Sequence, residues 1–188
     1  MTTSAGCKHR NWIIIAALAL GIMFGAGSAT AQETASGLVF ANVLAGLSVT
    51  AVQDLNFGDV LQGIAKNVAN DDAVNAGIFT ITGEAGAEIT IYMALPEYLA
   101  TPTGDDRLTI MFGPDVASVD TTVNVDPSAF GSGWQNTNPY SLPTGITVGT
   151  VGQNQTAIFI GGRVVPAINQ KSDTYSGYIT VTVAYTGN

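Results

Sequence analysis

Residues able to do acid–base or metal chemistry are few in this chain. Asp71 and Asp72 stand beside Asn70 and Asn75, and Asp105 is followed by Asp106, so each group offers oxygen ligands to a hard cation such as calcium. Neither group has the alternate-position spacing and central glycine of a calcium loop, and both read as solvated turns. Glu84 and Glu88 flank Gly83 and Gly86. A glycosidase needs two carboxyl groups facing each other across a cleft, whereas this spacing suits a β-turn between hairpin strands with both carboxylates in water. Gly161-Gly162 separates TAIFI from RVVPAI with no phosphate-loop lysine after it, which fits a bulge or tight turn. The single cysteine, Cys7, and the single histidine, His9, lie at the extreme N-terminus.

Those two residues sit in a segment with the features of an export signal. Residues 1–11 carry Lys8 and Arg10 and no acid, and residues 12–24 (WIIIAALALGIMF) are an unbroken apolar run closed by Gly25, Gly27 and Ser28. A helix crossing a bilayer needs about 20 apolar residues; this run has 13, so no permanent membrane span is expected. Ala29-Thr30-Ala31 supplies the small-x-small pattern for cleavage after Ala31. The expected organisation is a signal helix at 1–31 and a single domain at 32–188, secreted or displayed on a bacterial cell surface. Cys7 precedes the apolar run and cannot be the acylated cysteine of a lipoprotein.

Cleavage would strip the chain of every thiol and imidazole. Triads built on histidine and the usual zinc, copper and haem ligand sets are then excluded, and no cofactor or metal is expected. The bases left are Lys66, Arg107, Arg163 and Lys171 against fourteen acids, a net charge of −10 compared with −8 for the full chain. Such a surface repels phosphate backbones, so nucleic acid is not expected as a partner.

The elements that must carry these residues are strands. Ile89, Ile91, Met93 and Leu95 alternate with Glu88, Thr90 and Tyr92, and Ile179, Val181, Val183 and Tyr185 alternate with Thr180 and Thr182. Further strands are predicted at 47–52, 55–60, 78–82, 107–112, 119–125, 145–149 and 156–160, separated by clusters of glycine, proline, asparagine and aspartate. Eight or nine short strands without a helical period predict an all-β, antiparallel β-sandwich, immunoglobulin-like or jelly-roll in kind. Residues 126–145 are the longest irregular stretch, a surface loop holding Trp134 and Tyr140. Exposed there, the two rings would stack on a sugar; tucked in, Trp134 would pack on its own sandwich.

The N-terminal part of the domain has more apolar sequence than one strand needs. Every odd position from 39 to 51 is apolar (Val39, Ala41, Val43, Ala45, Leu47, Val49, Ala51), with Leu38 and Phe40 on the other parity. Thirteen residues would extend roughly 43 Å, more than twice the usual strand. The run is expected to divide near Ala45-Gly46. Its second part is then the first strand of the sandwich, and residues 38–44 are a spare apolar strand that either docks on its own domain or pairs elsewhere.

Several short motifs occur in a telling order: Leu55-Asn56-Phe57-Gly58, Phe79-x-Ile81-x-Gly83, Leu95-Pro96, Ile160-Gly161-Gly162, Gln170 and Tyr175-Ser176-Gly177-Tyr178. In that order they resemble the secreted bacterial family called domain of unknown function 4402. The LNFGDV run at 55–60 and the final strand at 175–188 are also similar to archaic chaperone–usher pilins of the spore-coat-U-like group, whose usual disulfide cysteines this chain lacks. The pilin resemblance implies self-association or a fibre partner, with a periplasmic chaperone and an usher. It also implies that residues 32–45, through Leu38, Val39, Phe40, Ala41 and Val43, form an extension that fills a neighbour's groove by β-augmentation. The function expected is therefore non-catalytic: a secreted or surface structural subunit, fimbrial or matrix-forming. The alternatives are a carbohydrate- or surface-binding module using the 126–145 loop and, behind it, a hydrolase.

Overall fold

Alternating apolar side chains become paired strands wherever one face can be buried, and the computed structural model of the protein has twelve strands among the described residues. It describes residues 38–129, 134–150 and 152–187. The expected signal segment at 1–31 lies outside these residues, as do residues 130–133 of the expected loop. The chain divides into two units, 1–41 and 42–188, and the strands belong to the second. No helix among the described residues is long and apolar enough to cross a membrane.

The fold is all-β and antiparallel throughout. One sheet joins β1 (Ser48–Gln53), β3 (Gly77–Thr82), β10 (Gln155–Ile160), β7 (Ala117–Asp120) and β8 (Trp134–Thr137) in that order. A second joins β2 (Lys66–Val68), β11 (Gly162–Val165), β6 (Arg107–Met111) and β5 (Tyr98–Ala100). A third joins β12 (Thr180–Tyr185), β4 (Glu88–Ala94) and β9 (Ile146–Thr147). An antiparallel bridge between Ala100 and Ser176 ties the second sheet to the segment leading into β12.

One core takes side chains from all three sheets, as a sandwich requires. Ile81, Val119, Ile158 and Ile160 meet Ile89 and Met93 from the third sheet and Leu108, Ile110 and Val164 from the second. The opposite parity of the five-stranded sheet forms a smaller cluster of Ile78, Ala157 and Phe159. Buried on both faces, β10 therefore reads as a continuous apolar run and does not alternate.

Several expectations need correction. Residues 55–60 are not a strand: Phe57 is buried in the core, but Asn56 Oδ1 accepts a hydrogen bond from Gly58 N–H at 2.8 Å, and Gly58 has φ 56°, so the chain turns there. The strand expected at 119–125 ends at Asp120, whose carboxylate accepts from Thr122 N–H and pulls the chain into a turn. The 126–145 stretch is not loop throughout, because Trp134–Thr137 pairs with β7 as β8. β3 and β4 do not form a hairpin around Glu84 and Glu88, since each pairs with other strands, in different sheets. Gly161-Gly162 is neither bulge nor tight turn: there the chain passes directly from β10 in one sheet to β11 in another. A Cβ at Gly161 would stand 2.3 Å from Val68 O, so the crossing needs a residue without one.

Candidate assembly site

Strand edges matter because their unpaired N–H and C=O groups template the addition of another strand, and proteins usually blunt them with charge, proline or brevity. β1 and β12 are each six residues long, SVTAVQ and TVTVAY, with no charged residue and no proline. β1 pairs with β3 alone and β12 with β4 alone among the described residues. The two come within 8 Å of each other without forming a ladder. Their apolar side chains, Leu47 and Val49 from the β1 side and Val181, Val183 and Tyr185 from β12, pack on the core while staying half-buried.

Residues 38–47, leading into β1, are in no strand. Leu38, Val39, Phe40 and Val43 are 86–95% exposed, and Ala41 is exposed as well. Four large apolar side chains in water within six residues leave on the order of 1.5–3 kcal/mol each of unrealised burial.

Within the second unit, Ala45 is held from both sides. Its N–H donates to Glu84 Oε2 at 3.2 Å, and its C=O accepts from Tyr185 Oη at 2.9 Å. Tyr185 Oη in turn accepts from Glu84 N–H at 2.7 Å. Gly83 makes the room for this: a Cβ there would lie 2.5 Å from Tyr185 Oη and 2.9 Å from Leu47 Cδ1. Glu84, Glu88, Leu44 and Tyr185 border a depression of about 310 Å³ at this end of the sandwich.

No family model matches the chain, and no curated protein does either.

The other candidate residues have local roles. Trp134 is half-buried with its ring stacked on Phe159 at 5.1 Å between centroids, and its Nε1–H donates to Asn136 Oδ1 at 3.2 Å. Tyr140 is 64% exposed. Asp72 accepts from Val74 N–H, Asn75 N–H and Asn75 Nδ2, which closes its own turn and holds its carboxyl below the usual carboxylate range. Asp105 accepts from Thr101 Oγ1 at 2.6 Å and Thr103 Oγ1 at 2.7 Å and pairs with Lys171 Nζ at 2.9 Å.

Asp106 is the centre of a polar knot that the residue types alone do not announce. Tyr175 Oη (2.6 Å), Gln170 Nε2 (2.8 Å) and Lys171 N–H (3.1 Å) all donate to its Oδ2, and Arg107 N–H donates to Oδ1. Gln62 Nε2 donates to Gln170 C=O. The knot binds the β5–β6 turn to the segment entering β12. Gln170 and Tyr175 were legible only as members of the family-like motif order. The Ala45 clasp left no local signal, because its partners lie 39 and 140 residues away.

Proposed function

We propose that this chain is a non-catalytic, exported structural subunit that self-associates by β-augmentation, its apolar segment 38–44 adding a strand to the β1–β12 edge of a second copy. The observation that carries the reading is the pair of six-residue, uncharged, proline-free edges with half-buried apolar side chains. An exposed apolar segment of matching length on the same chain supplies the complementary part. Main-chain ladders on such an edge give affinity, while alternate side chains entering the core give register. The family-like motif order, the signal-like N-terminus and the similarity to usher-assembled pilins support the same reading, with a bacterial surface as the place and a periplasmic chaperone and usher as the assembly partners. A sugar-binding role for the 126–145 region has less behind it: Trp134 is occupied by Phe159.

Size exclusion with light scattering and electron microscopy of purified exported protein test this. Concentration-dependent polymer is expected, lost on deleting residues 32–44. A peptide spanning 36–45 should then bind the truncated protein and raise its melting temperature, as any ligand of the folded state alone does. Monomer at all concentrations, with no peptide uptake, overturns the proposal.

A further inference from the structure

We infer that the Tyr185–Glu84 clasp on Ala45 directs the apolar segment outward to another copy by preventing it from folding back onto its own β1 edge. The inference rests on the assembly reading above and adds the residues that decide between a neighbour's edge and the chain's own.

A segment that directly precedes an edge strand has an easy alternative to intermolecular pairing. Residues 38–44 reach β1 through Ala45 and Gly46, and a two-residue turn there would lay them antiparallel on β1 as a hairpin. Such turns are types I′ and II′, which need φ > 0 at the first central residue or at both. Gly46 could adopt that conformation freely, and a Cβ at that position would meet nothing within 4 Å, so packing does not oppose it. Yet neither Ala45 nor Gly46 has positive φ, and residues 42–47 form no turn, so that hairpin turn is not made. What holds the chain there is the clasp, which engages Ala45 N–H through Glu84 and Ala45 C=O through Tyr185. Reversal into a hairpin would reorient both peptide groups and break both hydrogen bonds.

The placement of the two side chains gives the clasp its selectivity. Tyr185 is the last residue of β12, and Glu84 lies on the crossover from β3, the partner of β1. The end of the β12 edge and the end of β3 are thus both tied to the exit point of the segment. Gly83 is the enabling residue, since any side chain there would displace the Tyr185 hydroxyl. Tyr185 and Glu84 act here as positioning residues, through the two hydrogen bonds to Ala45.

Full-length exported protein carrying Tyr185→Phe, Glu84→Ala or both tests this, with Glu84→Gln as the conservative variant, because an amide oxygen still accepts from Ala45 N–H. Tyr185→Phe keeps the ring in the core, and thermal melts of each variant monitor the fold. The ratio of polymer to monomer is read by light scattering at matched concentration. Each single loss is expected to lower that ratio by up to about tenfold, the effect of one or two hydrogen bonds of ordinary net strength. Glu84→Gln should restore it. The monomer that accumulates should be protected from hydrogen exchange along 38–44, the mark of a strand docked on its own edge. If the wild type polymerises and the variants polymerise equally, with 38–44 exchanging freely in any residual monomer, the clasp has no directing role and the assembly reading stands. A wild type that never polymerises overturns both.

Discussion

Asp106 shows how far a single carboxylate can organise this fold. Its four donors come from Arg107 and from residues 170–175, so its charge fixes the path of the chain into β12. The hydrogen bond from Tyr175 is the main cause holding the Asp106 carboxyl below its usual range, and the hydroxyl of Thr101 does the same for Asp105, with Lys171 next. Lys171, held by Asp105 and Asp173, is pushed up, and partial burial with Asp106 alongside pushes the Tyr175 phenol up. A depressed carboxylate contributes stability above its ordinary pKa of about 3.9, and that stability is lost as pH falls through the folded value. A raised lysine or tyrosine contributes below about 10, and that is lost as pH rises through its folded value. Denaturant midpoints should therefore be flat from about pH 5 to 9 and fall on either side. Tyr175→Phe should flatten both limbs, the acid one by removing the main cause of the Asp106 depression and the alkaline one by removing the phenol itself; an unchanged acid limb would show that the knot does not couple to folding. The Asp105 carboxylate already faces an ammonium and two hydroxyls, which occupy the oxygens a cation would need. Chelators should then leave the melting temperature within about 2 °C, under about 1 kcal/mol for a domain this size, and a larger drop would place an ion in one of the aspartate turns.

Elements differ in how openly the sequence declares them. β4 and β12 face the core on one side, so Ile89 to Met93 and Val181 to Tyr185 alternate visibly, and their partnership follows from two matched half-solvated strands. β2 (KNV), β5 (YLA) and β8 (WQNT) were missed because three or four residues cannot display a period, and β8 is largely polar. Leu55 and Phe57 mimicked a strand because both pack on the core from a turn that Asn56 and Gly58 shape. The spare segment at 38–44 was readable from its excess of apolar residues; the edges that would receive it were not, because edge status is a property of pairing and not of local sequence. The β10–β11 crossing gives the sharpest test at this scale. Around Gly161 a Cβ would meet Val68 O at 2.3 Å, Ala69 C at 2.8 Å and Asn70 N at 2.8 Å, all of them backbone that no rotamer change can move. Gly161→Ala should cost about 3 kcal/mol, the upper end of overpacking penalties. Gly46→Ala, with nothing nearby and ordinary φ, should instead be neutral or stabilising by about 0.4–1 kcal/mol. Equal effects at the two sites would mean that close backbone approach does not explain the glycine pair.

At the scale of the whole molecule, the proposed assembly has to overcome the protein's own charge. The chain has a formal net charge of −8, and −10 without residues 1–31, so copies brought edge to edge repel one another, while the edges and the segment proposed to join them are uncharged. The attraction is then apolar burial and main-chain hydrogen bonding, neither of which salt weakens much, and the opposition is electrostatic, which salt screens over a Debye length that shrinks from about 30 Å at 0.01 M to about 8 Å at 0.15 M. Association driven by complementary charged patches would show the reverse, weakening as salt is added. Polymer fraction at fixed protein concentration should therefore rise between about 0.01 and about 0.15 M salt, and should rise further in sulfate than in chloride at equal ionic strength, because sulfate also strengthens apolar burial. Sedimentation velocity across that salt series measures it directly. A polymer fraction that falls with salt would mean that charged surfaces join the copies, and the uncharged β1 and β12 edges would no longer be the place to look for the contact.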